Sequence, residues 1–167
     1  MIVATLRRLA LVFALVGASA ALAAALLTVT SVALRALTTR PIQGDVELTQ
    51  FAIAFAISLT VPWCQWRGAN IIVDFFTQGL RPVHVRRLDA IGALLTAVMF
   101  ALLAWRSGVG ALAVYEAGET SMIRSLPMWW VYACLSPGLT LAALIAVLQA
   151  TLLFQGKSLE SLQGAAA

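Results

Sequence analysis

Four apolar blocks, each long enough to cross a bilayer, constrain this chain more than any other feature. They run from Leu9 to Leu34, Leu48 to Trp66, about Ala90 to Tyr115 and about Pro127 to Phe154. A soluble domain distributes apolar residues at a period of two or 3.6 around a core, whereas a stretch of about 20 continuous apolar residues matches the roughly 30 Å hydrocarbon layer. Inside that layer no water pairs with the backbone, so each segment must satisfy its own N–H and C=O groups as a helix. The expected fold is all-α: a single membrane domain over residues 1–167 with four transmembrane helices. Composition agrees, since 62% of the 167 residues are hydrophobic and 11% are charged, against about a quarter charged in soluble domains.

The first block, 26 residues, makes a helix of about 39 Å and must tilt or protrude. Arg7-Arg8, an apolar run and Ala18-Ser19-Ala20 also resemble a signal peptide with its cleavage site. The apolar run continues past that site, however, and cleavage would leave a stub too short to span, so an uncleaved helix is expected. Pro62 should bend the end of the second span. Pro127 suits the first turn of the fourth, and Ser136-Pro137-Gly138 predicts a kink within it. Trp63, Trp66, Trp105, Trp129 and Trp130 fall near span ends, where tryptophan favours the headgroup level.

The formal charge of +4 comes from basic residues near helix ends, a pattern of membrane topology that gives no reason to expect nucleic acid as a partner. With the N-terminus inside, the inner segments hold Arg7, Arg8, Arg67, Arg81, Arg86, Arg87 and Lys157, seven against the four of Arg35, Arg40, Arg106 and Arg124 outside. Both termini are therefore expected in the cytoplasm of a bacterial cell, with the protein in the inner membrane. Cys64 and Cys134 have no CxxC or Cys/His neighbour and would lie at different depths, too far apart for a disulfide, so both are expected as buried, inert thiols.

Between spans two and three, Asn70, Asp74, Thr77 and Arg81 form one polar stripe at helical spacing, and Ile71, Ile72, Phe75, Phe76 and Leu80 cover the other face. This spacing predicts an amphipathic interfacial helix over 70–81. It serves either as a simple connector or as a contact surface for a partner, with Arg67 and Asp74 as its candidate contact charges. His84 lacks a second metal ligand at suitable spacing, and no catalytic set or phosphate loop is visible, so neither enzyme activity nor a cofactor is expected.

Arg106 is the ionisable residue set well within an apolar run. Unpaired near the bilayer centre it would cost about 3 kcal/mol or more. Trp105 beside it suggests that the interface is close and that the side chain snorkels; the alternative is pairing, with Glu47 preferred. Asp45, Glu47, Arg106, Glu119 and Arg124 should gather at the outer membrane level. Glu119 and Arg124 would then remain free to meet a soluble protein from the periplasm. A complete transporter should show related halves or deep acids, and neither is evident.

The order of motifs is familiar. Arg40-Pro41-Ile42-Gln43-Gly44-Asp45-Val46-Glu47 precedes span two, Arg67-Gly68-Ala69-Asn70-Ile71-Ile72-Val73-Asp74 follows it, and Gly118-Glu119-Thr120-Ser121 with Leu126-Pro127-Met128-Trp129 leads into span four. Over about residues 9 to 155 the chain resembles the small membrane subunit of tripartite ATP-independent periplasmic (TRAP) transporters, departing from it at Asn70, where the family often has histidine. The resemblance implies a scaffold for a large permease subunit that carries the sodium and substrate sites. It also implies a periplasmic substrate-binding protein that delivers an organic acid. The alternatives are the small subunit of a tricarboxylate-type tripartite transporter, a homo-oligomeric channel, which should show a polar stripe along one span, and a membrane enzyme, which needs clustered His, Asp or Glu.

The topology makes a first prediction. In a Cys64→Ser/Cys134→Ser background, Ile42→Cys should be labelled by an impermeant thiol reagent in intact spheroplasts and Glu160→Cys should not. Labelling at 160 would reverse the assignment.

Overall fold

A computed structural model describes residues 2–38, 42–68 and 82–156. Four helices account for nearly all of them: α1 (Ile2–Thr38), α2 (Asp45–Arg67), α3 (Pro82–Glu116) and α4 (Trp129–Phe154). All four are long and apolar enough to cross a membrane. The expected all-α, four-span class is what is seen, and α1 runs unbroken through Ala18-Ser19-Ala20. The helices are longer than the apolar blocks: α1 has 37 residues and α3 has 35, about 55 and 52 Å at 1.5 Å per residue. Both exceed the hydrocarbon layer because polar residues at their ends continue the helix into the headgroup region. The interfacial helix expected over 70–81, with Asp74, lies outside the described residues.

Helix ends follow from local chemistry. Gly118 takes a left-handed φ of 64°, and the amides of Gly118 and Glu119 return to the carbonyls of Tyr115 and Val114. That paired bonding is the Schellman ending of α3. At α2, Gly44 (φ 73°) precedes a first turn holding Asp45 and Glu47, whose charges suit the exposed amides of a helix N-terminus. Pro127 is not in the first turn of α4; it pairs with Thr120 in an isolated antiparallel bridge, and the helix begins two residues later. The bridge closes the α3–α4 connection and takes the proline out of the helix.

The four helices form a row rather than a closed bundle. The order is α1, α2, α4, α3, with α2 parallel and α3 antiparallel to α4. Here α3 rests on α4 and meets α1 and α2 marginally at most. The outer seams are lined by small residues seven apart. On α1, Ala10, Gly17, Ala24 and Ser31 are buried; on α3, Ala90, Ala97, Ala104 and Ala111 are. A seven-residue repeat keeps one stripe facing a neighbour at a shallow crossing, and small side chains let the backbones approach. At the end away from the α1–α2 and α3–α4 connections, Ala10, Trp66, Leu141 and Ile145 form a cluster that joins α1, α2 and α4. Trp66 is therefore a core side chain rather than a headgroup anchor. Cys64 and Cys134 are both free, and Cys64 is exposed where burial was expected, because it lies on the side of α2 away from the cluster.

The central α2–α4 seam is the tightest. A Cβ on Gly138 would lie 2.1 Å from the Ser58 carbonyl oxygen, and one on Gly17 would lie 2.8 Å from that of Ala56. Neither helix can move away without breaking other contacts, so Gly138→Ala should destabilise the purified protein in detergent by about 2 kcal/mol or more. Gly17→Ala should cost less. Gly92→Ala, whose Cβ meets nothing within 4 Å, should be neutral or stabilising by up to about 1 kcal/mol through helix propensity. Thermal unfolding of the three variants reads the order directly.

Candidate functional site

Among the described residues two regions carry polar contacts: hydrogen bonds within the helix row, and the end where the α1–α2 and α3–α4 connections meet.

Within the row, Ser58 is 1% exposed, and its hydroxyl lies within hydrogen-bond distance of the carbonyls of Cys134 (3.0 Å) and Leu135 (3.1 Å). These carbonyls belong to the turn of α4 that the Pro137 ring crowds. Nearer the opposite end, Gln65, 4% exposed, donates through Nε2 to Gln149 Oε1, and Gln149 Nε2 donates to the Gln65 carbonyl at 2.6 Å. Hydrogen bonds between membrane helices contribute about 1 kcal/mol each. Sequence reading passed over Ser58, Gln65 and Gln149 because each is a single polar residue in an apolar run. The available signal was that two spans each carry one amide in the same half of the membrane.

At the connection end, Glu47 organises the α3–α4 loop. Its carboxylate accepts from Ser121 Oγ (2.8 Å), from the Ile123 amide (2.8 Å) and from the Arg124 amide (3.1 Å). Ser121 in turn bonds both ways with Leu126, its amide donating to the Leu126 carbonyl and its hydroxyl accepting from the Leu126 amide. The Arg124 side chain lies over Gly44, where a Cβ would meet its Cγ at 2.7 Å, and its Nε donates to the Gln43 carbonyl at 2.9 Å. Glycine is required at 44 both for the left-handed backbone and for this close approach. Asp45 accepts from the buried Ser31 hydroxyl of α1 and from the Val46 amide. Thus α1, α2 and the α3–α4 loop are tied into one cap, which presents Met122, fully exposed, and Ile123 at its tip. Tyr115, Trp129 and Trp130 pack edge to face just beneath the cap.

These contacts revise several expectations. The partners of Glu47 are in the 121–124 loop rather than at Arg106. Arg124 is exposed, and its Nε donates to the Gln43 carbonyl of the 43–44 turn. Glu119 is exposed, and its backbone is committed at both ends, the amide to Val114 and the carbonyl to Met128. Arg67 is exposed at the end of α2, with its guanidinium 5.8 Å from the centre of the Trp63 ring, a cation–π contact. Arg106 is exposed on α3. Asp74 lies outside the described residues. Among the described residues, no group of three or more His, Cys, Asp or Glu side chains could hold a metal ion.

A family model described as "Tripartite ATP-independent periplasmic transporters, DctQ component" matches residues 24–156. No curated protein and no solved structure matches the chain.

The cap predicts a local effect. Glu47→Ala removes the acceptor of two loop amides and of the Ser121 hydroxyl, and hydrogen exchange at Ile123 and Arg124 should rise by about tenfold. Exchange in the middle of α2 should be unchanged, and Glu47→Gln, which keeps one carbonyl acceptor, should fall between. Unaltered exchange at both amides would show that the loop holds itself.

Proposed function

Because the chain belongs to the DctQ family, the small membrane component of TRAP transporters, we propose that it acts as the scaffold subunit of a sodium-coupled importer of an organic acid. In this reading a large permease subunit carries the transported ions and substrate, and a periplasmic binding protein delivers the substrate. The chain sits in the bacterial inner membrane with both termini cytoplasmic, so that the Glu47 cap faces the periplasm. It performs no enzymatic chemistry.

One observation carries the reading: the buried polar side chains of the row are spent on holding helices to each other. Ser58, Gln65 and Gln149 join α2 to α4, and Ser31 joins α1 to the first turn of α2. A protein that moves a solute keeps polar groups available to it near the midplane, whereas a scaffold uses them for rigidity. A row also leaves broad apolar faces uncovered, with Leu22, Leu26 and Val29 exposed on α1 and Leu95, Met99 and Leu102 on α3. Such faces suit lipid and a large membrane partner together. In this reading Glu119 and the exposed Met122–Ile123 tip would meet the binding protein at the periplasmic end, with Arg124 bonded to the turn beneath them.

Reconstitution tests the assignment. With a sodium gradient, liposomes containing this chain, the large permease and the binding protein should take up an organic acid. Liposomes containing this chain alone should take up none of a panel of labelled organic acids. Uptake by the chain alone would overturn the scaffold role.

A further inference from the structure

At the end of the row away from the cap, the register of α1 on α2 brings two arginines together. Near the cap Ser31 bonds to Asp45, and Thr28 Oγ1 lies 3.3 Å from Thr49 Oγ1. Further down, the Thr60 methyl lies 3.3 Å from the Cβ position at Gly17. The two helices are therefore antiparallel. Arg67 is one heptad beyond Thr60, and Ala10 is one heptad before Gly17. A heptad returns to nearly the same face of a helix, so Arg67 is on the α1-facing side of α2, level with Ala10. The packing of Trp63 and Trp66 in one cluster with Ala10 agrees. Arg7 is three residues before Ala10, about 4.5 Å further along the axis. Both arginines are exposed. Arg8 differs from Arg7, because it stands about 160° around α1 from Ala10 at 100° per residue.

Among the described residues nothing neutralises this pair. Neither arginine makes an ion pair there. Asp45, Glu47, Glu116 and Glu119 are at the capped end, and Asp89 is on α3, which meets α1 and α2 marginally at most. Arg67 is held 5.8 Å from the centre of the Trp63 ring, a contact that orients the guanidinium and leaves its charge in place. Depth matters as well. Arg67 is 20 residues from Glu47 along α2, about 30 Å, which is the thickness of the hydrocarbon layer. Arg67 thus stands at the boundary of that layer, with Trp63 one turn inside it at the level tryptophan favours.

We infer that Arg7 and Arg67 form a binding site for the phosphate of an anionic phospholipid, held between α1 and α2 at the end opposite the cap. A phosphate between two guanidiniums offsets their mutual repulsion and accepts charge-assisted hydrogen bonds from both. Basic sites between membrane helices at this level take lipid headgroups. A net negative headgroup suits two positive charges, whereas a choline headgroup brings a cation of its own. A lipid is favoured over a soluble anion because its acyl chains deliver the phosphate to the hydrocarbon boundary. This site goes beyond the scaffold reading and does not depend on it.

The test titrates the full chain, in mild detergent, with lipid and counts bound molecules by native mass spectrometry. The parental chain should bind one phosphatidylglycerol in preference to phosphatidylcholine of the same acyl length. Arg7→Gln and Arg67→Gln should each weaken that binding about fivefold, the effect of one arginine near a charged membrane surface. Arg8→Gln should leave it unchanged, and Arg67→Lys should retain most of it. Helix content and elution profile should match the parental chain throughout; the two glutamine variants are read separately, so either one alone decides. An equal loss for Arg8→Gln would reduce the effect to diffuse surface charge and overturn the site. Equal affinity for phosphatidylcholine, or unchanged affinity in the glutamine variants, would also overturn it. Displacement of the lipid by inorganic phosphate or by a glutamate-rich peptide would assign the pair to a soluble anion or a protein acid, and the lipid site would fail.

Discussion

Pro62 and Pro137 each remove an amide donor from a helix that has no water to replace it, and Ser58 of α2 packs on α4 at the residues that flank Pro137. Pro62 leaves the Ser58 carbonyl without its i+4 donor, and that oxygen lies against Gly138, the residue after Pro137. In the other direction, the Ser58 hydroxyl donates into the carbonyls of the α4 turn that Pro137 crowds. Neighbouring helices and Ser/Thr hydroxyls are how membrane helices accommodate proline. Here Ser58 meets α4 through both its backbone oxygen, against Gly138, and its hydroxyl, at the Cys134 and Leu135 carbonyls. The α2–α4 pair is thereby fixed in register, and the Gln65–Gln149 exchange holds the same register nearer the opposite end.

The other helices add to this pair rather than close around it. α1 and α3 approach through alanine, glycine and serine repeats, which provide close backbone contact with little interdigitation. The result is a row with two long outer faces, a shape with more lateral surface than a closed bundle of the same helices. An open groove between α3 and α4 distinguishes one of those faces from the other.

The capped end combines two requirements. Helix N-termini need acceptors, and the α3–α4 loop needs donors satisfied. Glu47 meets the second from the first turn of α2, and Asp45 links the same turn to α1. Gly44 keeps the turn open for the Arg124 side chain. A soluble partner arriving there would meet a preordered loop, which lowers the ordering cost of association.

Much of this was set by sequence. Apolar block length required four helices, because an unpaired backbone is not tolerated in hydrocarbon. Motif order over most of the chain pointed to the family that residues 24–156 match. The charges at 45, 47 and 124 were legible as a cluster at one membrane level. Their pairing was not: composition places Glu47 and Arg106 in neighbouring stretches, but which groups touch depends on how the loop folds back onto α2. The row arrangement was equally hidden. Spans that are apolar all round carry little amphipathic signal for which side faces which neighbour, so the order α1, α2, α4, α3 is decided by close packing at Gly17 and Gly138 and by single hydrogen bonds from Ser58, Gln65 and Gln149. The sequence determined that the chain crosses the membrane four times, since that follows from transfer free energy summed along each segment. Only the tertiary structure decided which backbones come within reach of one another, because that depends on small residues and lone polar groups meeting at the same depth.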